Sequence, residues 1–226
     1  MRVARDVCAA LAGLILAASA SSSATAQTQP NHSDVEFWPG VELTKAVGQR
    51  SSIVLGLWPL MFNRNATRLQ EGEAYVGTTY RATSRLIFGG SYRYVYYQPS
   101  SRITSIEHRW TGDVTLRVPI KSWITISDRN RSESRFIDGS FSQRYANRLQ
   151  FERTVALQEH SLRPYVAFEP IYSTRSGRWN QKRYFAGVAI QLTPHSILDL
   201  FYLRVTDPLA NPGDLYVVSP VLRLRF

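Results

Sequence analysis

Charge in this chain falls at every second position. Arg129, Arg131, Glu133 and Arg135 alternate with Asn130, Ser132 and Ser134, and the same spacing returns in Glu107, Arg109, Asp113 and Arg117. A period of two places such side chains on one face of a β-strand. Guanidiniums and carboxylates sharing a face pair with one another or, along a wet surface, with a charged solute. Nucleophilic or acid–base chemistry would further need a His close to a Ser or a carboxylate. The four His do not supply it. His32 lies near the N-terminus, His108 has the parity opposite to the charged residues, and His160 and His195 adjoin turn sequences. No catalytic residue is assigned, and the chain is expected not to be an enzyme. No His/Asp/Glu set has metal-site spacing, and Gly89-Gly90 sits inside a strand pattern rather than a phosphate loop. No metal and no cofactor are expected.

The chain is basic, with 27 Lys and Arg against 17 Asp and Glu, and only Lys45, Lys121 and Lys182 are Lys. Such a balance often marks a nucleic-acid partner. Here the Arg residues are spread along the chain instead of forming one patch, so nucleic acid is not expected to bind. The N-terminus reads as an address. Arg2 and Arg5 precede the apolar run VCAALAGLILAASA, and Ala24-Thr25-Ala26 supplies a small-residue cleavage site. Residues 1–26 are expected to be a signal peptide, too short an apolar run for a membrane-spanning helix. Residues 27–33 follow as a short tail, and 34–226 as one domain. Cleavage would remove Cys8, the single Cys, leaving no disulfide and no thiol ligand.

The elements that must carry the charges are strands. Alternating segments lie near 34–46, 50–60, 71–82, 84–97, 103–119, 122–137, 143–157, 161–173, 180–193, 196–206 and 214–226, with no useful helical period between them. Most reach the roughly 9–11 residues that a tilted strand needs to cross a bilayer. In 103–119, Glu107, Arg109, Asp113 and Arg117 oppose Ile106, Trp110, Val114 and Leu116; in 84–97, Tyr92, Tyr94 and Tyr96 form an aromatic row opposite Arg93. Alternation is poor in 34–46, 50–60 and 196–206. The C-terminal segment puts Leu222, Leu224 and the terminal Phe226 on one face, like the final strand that barrel-assembly machinery recognises. The expected fold is therefore all-β: a transmembrane antiparallel up-and-down β-barrel of about 10–12 strands behind a cleaved signal peptide. Its apolar parity faces lipid and its charged parity the lumen. Short turns near 47–49, 82–84, 120–122, 158–159 and 194–195 alternate with longer ones near 61–70, 98–102, 138–142, 174–179 and 207–213. With both termini at the short-turn end an even strand count is expected, ten or twelve.

Unpaired buried charge is costly, so the charges themselves suggest a register. Setting Glu107 against Arg135, Arg109 against Glu133 and Asp113 against Arg129 makes the first hairpin complementary. Continuing, Glu133 meets Arg148, Arg129 meets Glu152, Arg148 meets Glu169, and Glu169 meets Arg183. One lumen belt is then Arg109, Glu133, Arg148, Glu169 and Arg183; a second is Glu73, Arg93, Glu107 and Arg135. Such belts either lock a narrow lumen or select the solutes that pass it.

The ordered features GGSYRYVYY, EHRW, RNRSESRF, RLQFER, PYVAFEPIY and RYFAGVAI, after an early Trp38, resemble the bacterial outer-membrane proteins catalogued as domain of unknown function 2490. The resemblance implies an outer-membrane barrel without an assigned activity and supplies no catalytic residues. The expected partners are outer-membrane lipid and lipopolysaccharide and the barrel-assembly machinery; Arg64, Arg68, Arg175 and Arg178 of the outer loops either meet lipopolysaccharide phosphates or are simply solvated. Two other readings stay open: a barrel enzyme acting on lipid A or phospholipid, and a soluble periplasmic β-sandwich binding module.

Overall fold

The computed structural model describes residues 33–63, 66, 68–100, 103–157 and 160–226. The expected signal peptide, tail residues 27–32 with His32, Arg64, and the turn at Gln158–Glu159 lie outside the described residues. Period-two sequence gives strands throughout. They are β1 (Ser33–Phe37), β2 (Gly40–Ala46), β3 (Ser51–Asn63), β4 (Arg68–Arg81), β5 (Leu86–Ser100), β6 (Ile103–Lys121) and β7 (Ile124–Ile137). Then follow β8 (Ser140–Arg153), β9 (Val155–Leu157), β10 (His160–Ser173), β11 (Arg178–Thr193), β12 (Ser196–Thr206) and β13 (Asp214–Arg225).

These segments make eleven walls of one closed barrel. β1 and β2 form a single wall strand interrupted at Trp38-Pro39, where proline has no N–H to give the ladder. β8 and β9 are likewise one wall broken at Thr154, both lying along β10. Consecutive walls are antiparallel, and the barrel closes by parallel pairing of the first wall with the last. Ser33 faces Asp214 and Phe37 faces Val218, then Gly40 faces Val221 and Thr44 faces Arg225. An odd number is therefore allowed, and the expectation of ten or twelve strands with both ends together is corrected. Ser33 lies at the end carrying the 207–213 connection, here called the upper end, and Phe226 at the lower end.

The expected alternation of short and long turns is corrected as well. Upper connections run two to seven residues and lower ones two to four, because the strands extend into segments read as loops: β4 begins at Arg68 and β8 at Ser140. The β7–β8 link shrinks to Asp138-Gly139, both at positive φ (48° and 82°), the backbone of a two-residue type I′ hairpin. The Ile106 N–H (2.9 Å) and the Ser105 hydroxyl (2.7 Å) donate to the Asp138 carboxylate and hold its carboxyl below the usual range.

The two faces of the wall differ. Outside, large apolar side chains stand exposed around the ring, among them Leu55, Leu57, Val76, Phe88, Trp110, Leu116, Phe151, Phe168, Leu200 and Val218. Inside, charged side chains share the space with an apolar cluster gathered on β10 to β13: Tyr165, Ala167, Phe185, Leu203, Val205 and Val217, with Trp38, Phe201 and Leu215 packed against them. This cluster explains the poor alternation of 196–206. Leu203 and Val205 of β12 are apolar because they enter it, while Leu200 is apolar because it faces outward. Gly187 belongs to the same packing, since a Cβ there would lie 2.7 Å from the Tyr165 ring.

The parallel closure has a direct check. With Cys8 absent, Val41→Cys and Leu222→Cys, which face each other across β2 and β13, should form a disulfide in the folded protein. Non-reducing electrophoresis after mild oxidation reads it. A barrel closed by β3 against β13 would leave this pair unlinked.

Candidate functional site

Inside the barrel, four buried glutamates are each shared by two guanidiniums. Glu73 pairs with Arg93 and, at 3.7 Å, with Arg109. Glu107 accepts from Arg109 Nε (2.6 Å) and from both Nε and Nη2 of Arg135 (2.7 and 2.6 Å). Glu133 accepts from Arg144 (2.9 Å) and meets Arg131 at 4.0 Å. Glu169 holds Arg129 at 2.7 Å and Arg183 at 3.4 Å. Nearer the lower end Glu152 sits between Arg117 (3.5 Å) and Arg163 (3.9 Å). Glu73, Glu107, Glu133 and Glu169 are all buried. Arg suits this role because its planar fork can serve one carboxylate while its remaining N–H groups reach another.

The register behind these pairs departs from the expected one in two hairpins. Across β6 and β7, Arg109 faces Arg135, Thr111 faces Glu133 and Asp113 faces Arg131. Across β7 and β8, Glu133 faces Arg144 and Arg129 faces Arg148. The expected contacts Arg109 with Glu133, Asp113 with Arg129, Glu133 with Arg148 and Arg129 with Glu152 are therefore corrected. The reason is geometric. A long Arg reaches a carboxylate diagonally, or two residues along its own strand, so complementarity does not require facing positions. Arg109 shows this by bridging Glu73 and Glu107, where Arg93 was expected to stand between them. The next two walls keep the expected register: Phe168 faces Leu149, which sets Glu169 beside Arg148, and Glu169 faces Arg183 directly.

The sequence reading missed a third network, at the closing seam. Arg223 of β13 pairs with Asp199 of β12 at 2.9 Å and with Glu42 of β2 at 3.8 Å. Tyr75 donates to Glu42 (2.6 Å) and Tyr165 to Asp199 (3.0 Å). Glu42 and Asp199 lie in the segments of poor alternation, so period two did not single them out. Arg144 was missed because a charge-matched alternative, Arg148, lies on the same face.

A cavity of about 1100 Å³ runs through this interior. Ser105, Ile137 and Ala210 line it toward the upper end, and Arg117, Thr125 and Arg225 toward the lower. Thirteen Arg and eight carboxylates line it; with Glu133 and Asp113, set against Arg144 and Arg131, the carboxylates are ten and Arg stays in excess by three. Arg175 faces this cavity, and Arg175 and Arg178 line a second one of about 550 Å³ at the upper mouth. Arg175 lies in the turn before β11 and Arg178 at its first residue, so both stand at the rim where a loop was expected. Arg68 donates to the Gln98 carbonyl at 3.4 Å.

On the outer face one stretch of β7 and β8 is polar. Asn147 donates to Asp128 (2.6 Å) and Asn130 (3.0 Å), and the Tyr145 hydroxyl donates to Asn130 (2.5 Å). This cluster satisfies its own hydrogen bonds. Ser132 lies beside Gly112 at mid-strand. His108, also outward, shares a 2.6 Å hydrogen bond with Tyr92.

Fold and interior together define a closed β-barrel with an ion-paired, Arg-rich lumen. The chain belongs to the family described as protein of unknown function (DUF2490), whose model matches residues 35–215. Comparison with curated proteins found no match.

The sharing of carboxylates predicts that Glu169→Ala, which strands Arg129 and Arg183, lowers the unfolding free energy by about 3–5 kcal/mol, read by urea unfolding in detergent. Reversing a true pair, Glu133→Arg with Arg144→Glu, should recover much of the loss of Glu133→Arg alone, and Glu133→Arg with Arg109→Glu markedly less.

Proposed function

We propose that the protein is an integral outer-membrane barrel, without enzymatic activity, whose lumen passes small hydrophilic solutes with a preference for anions. The single observation that carries this reading is the arrangement of the two faces. A ring of exposed apolar side chains surrounds a wall that encloses a charge-lined cavity reaching toward both ends. An exposed apolar band of this extent is unfavourable in water and favourable against lipid. The strands have the length for it: β3 to β8 and β10 to β13 run 11 to 19 residues, against roughly 9–11 needed to cross.

Export through the segment 1–26 and assembly through Leu222, Leu224 and Phe226 fit this location. Leu222, Leu224 and Phe226 share the outward parity of β13, and Phe226 is among the most exposed large apolar residues. Lipid and lipopolysaccharide would surround the apolar ring. The apolar cluster on the β10–β13 side narrows the lumen, so large solutes are excluded. An eleven-strand barrel falls between those of about eight strands, filled by side chains, and the 16–18 strands of wide channels. An excess of Arg in the lining raises the local concentration of anions and opposes cations.

The purified protein should migrate differently on gels with and without boiling after detergent extraction of outer membranes. In planar bilayers it should give small discrete conductance steps, with a reversal potential under a KCl gradient that favours chloride. Solubility without detergent would sink the membrane reading; a folded barrel without discrete conductance would sink passage.

A further inference from the structure

Most interior guanidiniums have a carboxylate close at hand, but the pairing runs short on β7 and β8. Arg129 and Arg148 face each other directly, and Arg131 stands two residues further on the same face. Like charges side by side on adjacent strands repel, and away from bulk water the repulsion strengthens. Glu169 attracts all three, for Arg129 and Arg148 more than the neighbouring Arg repels, while Arg129 is the strongest charged neighbour of Arg131.

The carboxylates nearby are already engaged. Glu169 is held by Arg129 and Arg183, and Glu133 by Arg144, with Arg131 only at the 4.0 Å limit. Asp113 faces Arg131 but turns its carboxylate over Gly89, where an added Cβ would lie 2.6 Å from Oδ2. Arg148 makes no ion pair within 4 Å among the described residues, and its guanidinium rests 4.0 Å from the Phe185 ring centre. The Nε atoms of Arg129, Arg131 and Arg148 are all buried without an acceptor. All three line the cavity, where Arg131 and Arg148, which no carboxylate holds closer than 4.0 Å, offer N–H groups to an acceptor beside the Arg129 that Glu169 already pairs.

We propose that Arg129, Arg131 and Arg148 form a binding site for a small oxyanion of the phosphate or sulfate type, held within the lumen. A tetrahedral oxyanion supplies what the cluster lacks: negative charge, and several acceptor oxygens spaced to meet planar guanidinium forks. Phe185 backs Arg148 and fixes it from behind, which leaves its N–H edge for the ligand. Arg175 and Arg178 at the upper mouth lead anions toward the same cavity. The site deepens the passage reading and rests on the same lumen, yet it binds whether or not the barrel conducts.

The test is equilibrium binding of inorganic phosphate to the detergent-solubilised full-length protein at constant ionic strength, by titration calorimetry. Saturable binding is expected. Arg148→Gln and Arg131→Gln should each weaken it at least tenfold, while Arg153→Gln, an outward cation over Trp123, leaves it unchanged. Heat-shifted migration establishes that each variant is folded; should Arg148→Gln fail this, Arg131→Lys, which keeps the charge but not the fork, should still weaken binding. No saturable binding by the folded wild type, or equal binding by the Arg131 and Arg148 variants, overturns the site. Phosphate binding without conductance supports the site and removes passage. Conductance without phosphate binding removes the site alone.

Discussion

A closed β-wall turns one face of every strand toward a space it encloses, and charge in that space must find its counter-charge there. This constraint organises the interior. Glu73, Glu107, Glu133 and Glu169 each meet two guanidiniums: some ties run within one strand (Arg109–Glu107, Arg131–Glu133), some between adjacent walls (Arg93–Glu73, Arg135–Glu107, Arg144–Glu133, Arg183–Glu169), and two reach across an intervening wall (Arg109–Glu73, Arg129–Glu169). Removing one carboxylate strands two cations, which is why sharing makes the network stiff and unforgiving. The apolar cluster of β10 to β13 packs among these charges and not apart from them: Tyr165 donates to Asp199, and the Arg148 guanidinium lies over the Phe185 ring.

Closure itself depends on a less usual contact. The first and last walls run parallel, a pairing slightly weaker per residue than the antiparallel kind. Polar anchors reinforce it. The Trp38 N–H donates to the Val218 carbonyl at 3.0 Å, Ser219 donates to the Trp38 carbonyl at 2.5 Å, and the Phe226 N–H donates to the Thr44 carbonyl at 2.9 Å. Within the lumen Arg223 joins Glu42 and Asp199 across that seam. The break at Trp38-Pro39 is thus a fastening point: proline withholds a ladder donor while the tryptophan backbone holds β13 and its ring joins the interior cluster.

Together these features give a barrel with an asymmetric lumen. Apolar packing gathers on β10 to β13, and Arg outnumbers carboxylate in the cavity lining. The proposed anion passage, with Arg129 and Arg148 as its proposed resting place, rests on that excess of Arg more than on strand number.

By itself the sequence determined the all-β class, the eleven alternating segments and the face on which most charges lie, because period two is written into each strand separately. Glu107, Glu133 and Glu169 could be placed inside from their own segments. Parallel closure, the seam residues Glu42, Asp199 and Arg223, and the true partners of Glu133 and Arg129 were decided only by tertiary structure. Register is a relation between strands. An Arg side chain long enough to reach diagonally makes more than one register complementary, so matching charges could not choose among them. The strands in 34–46 and 196–206 lost their alternation because both their faces meet apolar surroundings over part of their length. What lies inside there is settled by the walls across the lumen, which no local pattern can see.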